Sequence, residues 1–324
     1  MNGLEFEKPI LELEAKIKEL KTFGDDKNVD LGPEIKKLEQ KLEKMKKEIY
    51  DSLTDWQRVL IARHPSRPYT MDYIQMILSD FVEIHGDRLF ADDLAMIGGF
   101  ARINGYRVVV IGHQKGRDTK DNIRRNFGCA HPEGYRKAMR LMRLAEKFKL
   151  PVITLIDTPG AYPGVGAEER GQAQAIAENL KDMMGIRTPI VAVVIGEGGS
   201  GGAIGIGVAD RVLILQNAYY SVISPEGCAS ILWRNAVRAP DAAVALKLTA
   251  EHLLEFHVVD EMIPEPPGGA HRDPEAVAAA LKKSLLKHLK ELVPLSTDEL
   301  LETRYNKFRR IGEFVEKKAE EKAS

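Results

Sequence analysis

Two short glycine-bearing turns, which we call elbows, follow two apolar runs of the chain. The first elbow is residues 157–161 (DTPGA) after the run 152–156, and the second is residues 196–203 (GEGGSGGA) after the run 190–195. Each run is short and β-branched, as a strand buried on both faces should be, and each elbow leads toward a segment with helical character. Amides at a helix start lack partners within the helix, and glycine lets a ligand approach them. The two elbows therefore predict backbone donors for a developing oxyanion.

Each elbow also matches a motif of another protein class. The first has the D-x-x-G pattern of GTPases, but the sequence lacks the phosphate loop G-x-x-x-x-G-K-[ST] that such proteins need. The second has the dinucleotide-binding pattern G-x-G-x-x-G, yet no acidic residue follows about 20 positions on, where residues 212–217 read VLILQN. Ser200 could be a nucleophile, with His113, His131 or His257 as its base. The last alternative is that the glycines serve only tight turns and close packing.

The composition excludes several classes of function. The chain has 324 residues, a formal net charge of −1 and 44% hydrophobic residues, which suits one large globular domain with appendages and gives no general attraction to nucleic acid. No apolar run approaches the roughly 18 residues of a membrane span, and the N-terminus does not resemble a secretory signal. We therefore expect a cytoplasmic protein. Cys129 and Cys228 lack the spacing of a zinc site, so no metal is expected on this chain.

Three regions differ in their sequence pattern. Residues 1–50 have apolar positions at helical spacing on both sides of a break at residues 24–33, which predicts an antiparallel helical hairpin. These positions are Leu13, Ile17, Leu20, Ile35, Leu38, Leu42, Met45 and Ile49. The charged residues of the hairpin form either a solvated face or a clasp on a partner subunit. Residues 296–324 predict a charged helical tail, whose apolar stripe is Leu301, Tyr305, Phe308, Ile311 and Val315.

The middle region, residues 51–295, alternates β-type and helix-type segments and predicts an α/β domain. Strands 96–103 and 107–112 should form a hairpin at Asn104-Gly105, and strands 211–215 and 219–223 follow the second elbow. A helix beginning at Pro132 should bury Tyr135, Ala138, Met142 and Ala145. The helix after the first elbow should bury Ala173, Ile176, Ala177, Leu180 and Met184. The repeated strand-strand-helix order favours a spiral of ββα units over a doubly wound sheet.

Five segments together resemble one known family. They are residues 81–88 (FVEIHGDR), 131–138 (HPEGYRKA), 157–164 (DTPGAYPG), 196–203 (GEGGSGGA) and 221–229 (SVISPEGCA). These segments are similar to the carboxyltransferase alpha subunits of bacterial acetyl-CoA carboxylases, and the match covers nearly the whole chain. The resemblance implies an α/β, crotonase-like spiral fold with an N-terminal helical hairpin and a C-terminal helix.

The resemblance also implies an activity and partners. The family transfers a carboxyl group from carboxybiotin, held on a separate biotin carboxyl carrier protein, to acetyl-CoA, and makes malonyl-CoA for fatty acid synthesis. It implies an α2β2 assembly with a zinc-bearing beta subunit. It also implies a biotin carboxylase, which uses the ATP, as a further partner. In the family the alpha subunit is taken to cradle biotin and the beta subunit the CoA thioester. A self-sufficient crotonase-type hydratase or isomerase, and a non-catalytic scaffold subunit, are the alternatives.

Carboxyl transfer must stabilise two anions, the thioester enolate and the ureido oxygen of biotin, and amides in a water-poor cleft suit both. The predicted donors are Gly160, Ala161, Gly198, Gly199, Gly201 and Gly202, with Ala203 as a further biotin-binding position. No elbow carboxylate or histidine has the placement of an essential base, which fits proton removal by the freed biotin nitrogen. Asp157 and Glu197 are expected to support the elbows rather than to touch substrate.

The loop of residues 115–126 (KGRDTKDNIRRN) is locally basic and has neither a helical nor a strand period. Its Lys115, Arg117 and Arg125 could hold the transferred carboxylate or the CoA phosphates through charge-assisted hydrogen bonds. The alternative is a solvated loop that binds nothing.

Overall fold

The structure, a computed structural model, describes residues 4–27 and 31–312. The strands within these residues are β1 Ser79–Glu83, β2 Met96–Ile103, β3 Tyr106–His113, β4 Val152–Thr158, β5 Ile190–Gly199, β6 Arg211–Leu215, β7 Tyr219–Ser221 and β8 Glu261–Ile263. The helices are α1 Lys8–Lys27, α2 Gly32–Asp51, α3 Asp55–Ala62, α4 Thr70–Ile77, α5 Thr119–Arg124, α6 Pro132–Phe148, α7 Val165–Glu169, α8 Gln172–Gly185, α9 Ser200–Ile204, α10 Pro225–Trp233, α11 Ala239–Leu246, α12 Ala250–Glu255, α13 Pro274–Leu292 and α14 Thr297–Arg309.

One mixed sheet carries the architecture, with the strand order β1-β2-β3-β4-β5-β6-β8. Strands β2 and β3 form the predicted antiparallel hairpin at Asn104-Gly105, while β3, β4, β5, β6 and β8 run parallel. Strand β5 forks, because its first half pairs with β6 and its end pairs with β7. The carboxyl ends of β4 and β5 lie side by side, so the two elbows meet at one edge of the sheet.

Both elbow strands are longer than the sequence predicts. The prediction ended them at residues 156 and 195, whereas β4 continues to Thr158 and β5 to Gly199. The reason is pairing, since Thr158 lies opposite Gly198, and Gly199 lies opposite Ser221 of β7. Polar and glycine residues extend these strands because the neighbouring strands satisfy their backbone groups. The first part of each elbow is therefore a strand end rather than a turn.

The helices cover the sheet with faces that the apolar pattern predicts only in part. Helix α6 buries the four predicted residues completely. Helix α8 is rotated, because its buried residues are Gln172, Ala175, Asn179 and Met183, while the predicted Ala173 and Ala177 are exposed. The Asn179 side chain donates hydrogen bonds of 3.0 and 2.9 Å to the carbonyls of Tyr135 and Gly205. Such bonds make burial of a polar side chain favourable.

The predicted N-terminal hairpin is present as α1 and α2. Its two helices pack around Ile10, Ile17 and Leu42, and the break between them is shorter than predicted. The hairpin attaches to the core through polar contacts: the Tyr50 hydroxyl of α2 donates to the carbonyl of Gly268 at 3.0 Å, and Glu7 lies 3.3 Å from Nε2 of His271. Burial acts to raise the pKa of Glu7, but the hydrogen bonds outweigh it and hold the pKa at about 2. None of the helices in residues 4–27 and 31–312 is both long and apolar enough to cross a bilayer.

The C-terminal helix α14 docks through an arginine, which corrects the predicted stripe. Leu300 and Arg304 are buried, whereas Tyr305 and Ile311 are exposed and Val315 lies outside the described residues. The Arg304 guanidinium makes two hydrogen bonds, of 2.8 and 2.7 Å, to the carboxylate of Asp210. It also donates to the backbone carbonyls of Met183, Met184, Ile186 and Thr188. A periodicity of apolar residues cannot detect this anchor, because it counts arginine as solvent-facing.

Replacing Arg304 with methionine should lower the free energy of unfolding by about 3–5 kcal/mol, because the buried Asp210 carboxylate loses its cation. Urea unfolding followed by circular dichroism measures the change. The control is Arg309→Met on the exposed side of the same helix, which should stay within about 0.5 kcal/mol of the unmodified protein. Equal stability of the two variants would contradict the anchoring role of Arg304.

Candidate active site at the two elbows

The two elbows touch each other through their backbones. A Cβ atom on Gly202 would lie 2.5 Å from the carbonyl carbon of Gly160 and 2.8 Å from the nitrogen of Ala161. A Cβ atom on Gly199 would lie 2.2 Å from the carbonyl oxygen of Pro159. Real side chains do not approach so closely, so positions 199 and 202 require glycine for this contact. The elbows consequently form one rigid unit.

The open side of this unit lies at Gly160 and Gly201. A Cβ atom on Gly201 would meet only Ile176, at 3.4 Å, and one on Gly160 would meet only the Cβ of Ser200, at 3.9 Å. Ser200 and Gly201 begin α9, where N–H groups have no acceptor within the helix. The N–H of Ala161 has no hydrogen-bond partner among the residues that the structure describes. The Gly160 N–H is not free, since it donates to Oγ1 of Thr158 at 3.1 Å.

Three of the predicted donors, and the predicted biotin-binding residue Ala203, lie beneath this surface. Gly198 and Gly199 are buried inside β5, where Gly199 lies opposite Ser221 of β7, and Gly202 and Ala203 are buried in α9. The N–H of Gly202 faces the buried His113 ring, although neither ring nitrogen has a partner at ordinary hydrogen-bond geometry. For these four residues the geometry supports close packing as the reason for their small size. Gly201, Ala161 and the rim glycine Gly160 are the predicted positions on the open side.

Ser200 is the residue at the elbow that the sequence prediction did not use as a backbone donor. Its φ of +48° lies in the left-handed region, which a non-glycine residue adopts only at a cost. Its position at a strand-to-helix turn is the sequence signal that could have identified its N–H as a donor. Its hydroxyl makes no hydrogen bond to a histidine within the described residues, so the serine-nucleophile alternative gains no support.

A buried group of charges fixes the base of both elbows. Nζ of Lys115 lies 2.7 Å from Asp157 and 2.9 Å from Glu197, which lie near the ends of β4 and β5. Glu197 also accepts hydrogen bonds from Nε of Arg63 at 2.6 Å and from the Tyr219 hydroxyl at 2.8 Å. Two carboxylates thus already neutralise the charge of Lys115, and a substrate-binding role for Lys115 stays a prediction. These contacts agree with supporting roles for Asp157 and Glu197.

The pKa values of this group follow from its ion pairs. Burial acts to raise the pKa of Glu197, but Lys115 and Arg63 outweigh burial and lower that pKa to about 2. Burial acts to lower the pKa of Lys115, but the two carboxylates outweigh it and raise that pKa. Glu197 and Lys115 are therefore both charged at neutral pH. Neither group is poised to exchange a proton with a ligand.

The basic loop also differs from its prediction. It contains a helix, α5, with Asp118 as its N-cap, although the sequence showed no helical period there. Arg117 stacks on Tyr69, 4.0 Å from the ring centre, and Arg125 donates to Asp121 at 3.0 Å. Both guanidinium groups are thus engaged in local contacts. The exposed cations of this loop include Lys120 and Arg124, which the prediction omitted.

One group of side chains has the composition of a metal site, contrary to the expectation from the two cysteines. Ligand atoms of Glu7, His64 and His271 all lie within 4.8 Å of one another where the N-terminal hairpin meets the core. The two histidine rings stack with centroids 4.0 Å apart. Neither cysteine belongs to the group. That this chain carries no metal therefore stays a prediction.

Replacing Lys115 with methionine should lower the free energy of unfolding by about 3–5 kcal/mol at pH 7, because buried carboxylates lose their cation. The folded-state pKa of Glu197, about 2, lies below its ordinary value of 4.5, so its contribution to stability is present above pH 4.5 and is lost as the pH falls toward 2. The difference between the two proteins should accordingly shrink in that range.

Urea unfolding at pH 7 and pH 3 measures this difference. The matched control is Lys120→Met, which removes an exposed cation from the same loop and should leave stability unchanged at both pH values. A Lys115→Met protein as stable as the control at pH 7 would show that the ion pairs do not hold the elbows.

Comparisons with known proteins place this chain in a family. The family model described as "Acetyl co-enzyme A carboxylase carboxyltransferase-like" matches residues 3–312. Proteins named acetyl-coenzyme A carboxylase carboxyl transferase subunit alpha are 59% identical over 313 residues in Thioalkalivibrio sulfidiphilus and in Thermus thermophilus. These alignments cover 97% of this chain and 98% and 99% of the two relatives.

Solved structures share the fold at low sequence identity. The transcarboxylase 12S core with methylmalonyl-coenzyme A aligns with a TM-score of 0.53 and 22% identity over 68% of this chain and 42% of that chain. The beta subunit of Pseudomonas aeruginosa geranyl-CoA carboxylase aligns with a TM-score of 0.56 and 16% identity over 76% of this chain and 46% of its own. The fold is therefore the predicted crotonase-like α/β fold of carboxyltransferases, and the chain belongs to the acetyl-CoA carboxylase carboxyltransferase-like family.

Proposed function

We propose that this chain is the alpha subunit of an acetyl-CoA carboxylase carboxyltransferase. It transfers the carboxyl group of carboxybiotin, carried on a separate carrier protein, to acetyl-CoA and so forms malonyl-CoA, the first committed step of fatty acid synthesis. The observation that carries this proposal is the pair of fused elbows, whose open side lies at Gly160 and Gly201 and whose Ala161 N–H has no hydrogen-bond partner among the described residues. Family membership over residues 3–312 supports the same conclusion.

The elbow surface fits the anion that carboxyl transfer leaves behind. Loss of the carboxyl group places negative charge on the ureido oxygen of biotin, and backbone N–H groups held in fixed positions stabilise such a charge without reorganising. The Lys115, Asp157 and Glu197 ion pairs hold those amides in place from below. The same pairs leave neither carboxylate free to act as a base, which disfavours the hydratase or isomerase alternative.

A partner must supply the rest of the site in this proposal. The surface after the second elbow is strongly apolar for a free chain: Val222, Ile231, Leu232, Val237 and Val244 are all more than half exposed. Exposed apolar patches of this kind mark protein interfaces. We assign the partner as a zinc-bearing beta subunit in an α2β2 assembly that works with a biotin carboxyl carrier protein and a biotin carboxylase in the cytoplasm.

The isolated chain should form no malonyl-CoA from carboxybiotin and acetyl-CoA, because it contributes only the biotin half of the anion-binding surface. Addition of a beta-type subunit should restore transfer. A coupled assay of malonyl-CoA formation, run with each subunit alone and with the mixture, measures this dependence. Turnover by the isolated chain would favour a self-sufficient enzyme, and an inactive mixture that assembles would favour the scaffold alternative.

Valine substitutions at Gly201 and Gly202 should separate catalysis from packing. Gly201→Val places a side chain on the open face and should reduce transfer by about 10²-fold or more at unchanged melting temperature, since the oxyanion loses access to its donor. Gly202→Val forces the Gly160 backbone away and should cost about 3 kcal/mol of stability as well as activity.

Ser200→Ala is the control for this pair, because it keeps the backbone amide and removes only the hydroxyl. It should retain most of the activity. Thermal melting and assembly with the partner are measured beside turnover for all three variants. Full activity of Gly201→Val would exclude an oxyanion role for this face, and an inactive Ser200→Ala protein would revive the nucleophile alternative.

A further inference from the structure

A strained left-handed turn lies directly against the first elbow. Asn126, Phe127 and Gly128 have φ values of 48°, 54° and 83°, so three consecutive residues adopt the left-handed conformation. Asparagine and glycine tolerate this region, but phenylalanine does so only at a cost in folding free energy. Strain of this kind persists where the surrounding structure enforces it, and it concentrates at functional sites.

The surrounding structure holds the turn firmly. The N–H groups of Gly128 and Cys129 donate to the carbonyls of Arg125 and Asn126, both at 2.9 Å. The side-chain amide of Asn126 lies 2.9 Å from Nδ1 of His131. These bonds fix the backbone on both sides of Phe127.

The turn and the first elbow also form one packed unit. A Cβ atom on Gly128 would lie 2.9 Å from the Lys115 side chain and 3.3 Å from the carbonyl oxygen of Asp157. The Tyr162 N–H donates to the carbonyl of Ala130 at 3.0 Å, and the Tyr162 ring stacks on His131 with centroids 4.2 Å apart. The position of the turn is therefore fixed relative to the elbow amides.

Packing of the Phe127 ring does not explain the strain. The side chain is 55% exposed, so folding buries less than half of it. A rigid, strained backbone that presents an aromatic ring to solvent beside the elbow gains from the ring only when something covers it. A ligand that enters at the first elbow and carries an apolar or planar surface would cover the ring.

We propose that Phe127 forms a wall of the biotin cleft, against which the fused ring system of carboxybiotin packs while the elbow amides bind its ureido oxygen. This proposal rests on the proposed function. The planar ureido ring and its apolar fused neighbour match an aromatic face, and a fixed ring loses little conformational entropy on binding. Phe127 is a substrate-contact residue in this assignment and takes no part in proton transfer.

The test uses the assembled alpha–beta complex in the reverse reaction, with malonyl-CoA as carboxyl donor and biocytin as acceptor. Phe127→Ala should lower kcat/KM for biocytin about tenfold and leave KM for malonyl-CoA within twofold. Phe127→Tyr should restore the biocytin value. Phe127→Gly, which relieves the strain and also removes the ring, should behave as alanine does and guards against a folding defect in the alanine variant.

The matched control is Phe148→Ala. Phe148 is also 55% exposed but ends α6, near the start of β4 and therefore at the opposite edge of the sheet from the elbows. The Phe148→Ala substitution should leave every kinetic constant unchanged. Unchanged kcat/KM for biocytin in the Phe127→Ala complex overturns the proposal. Weakened assembly also overturns it if kcat/KM for biocytin recovers at saturating beta subunit, because Phe127 would then be a partner contact. Failure of the unmodified complex to carboxylate biocytin would instead reject the proposed function.

Discussion

The ion pairs of Lys115 are the interaction on which the site depends. Lys115 follows β3, and Asp157 and Glu197 lie near the ends of β4 and β5, so one ammonium group links three adjacent strands at their carboxyl ends. The group is buried, and a missing partner would leave an uncompensated charge in a low-dielectric interior. These ion pairs hold the strand ends in one arrangement, which fixes the positions of both elbows.

Strained backbone conformations lie close to these ion pairs. Ser200 and Phe127 adopt left-handed backbone conformations close to the first elbow, and Gly199 and Gly202 allow backbone contacts that no side chain would permit. A rigid base allows such features to persist, because the rest of the fold determines their geometry. Preorganised amides are the result, and they are what stabilisation of a developing anion requires.

Buried polar groups also attach the outer elements of the chain. Arg304 docks the C-terminal helix onto Asp210, and Arg67, which is 1% exposed, pairs with Glu265 and donates to the carbonyl of Ile195 in β5. Glu7 does the same for the N-terminal hairpin. Apolar burial forms the sheet core, whereas these charged contacts orient the surrounding segments. The domain boundaries predicted at residues 50 and 295 remain predictions, since the contacts of Glu7 cross the first boundary and those of Arg304 cross the second.

The sequence by itself determined the features that local pattern encodes: the strands before each elbow, the hairpin at Asn104-Gly105, the buried face of α6 and the family. It could not decide which elbow positions are open and which are packed, because that depends on contacts between segments about 40 residues apart. It also misplaced the faces of α8 and α14. In each case a polar side chain is buried, and its partners come from distant strands and loops. Only the tertiary structure brings those partners together, so local periodicity counts the same residues as solvent-facing.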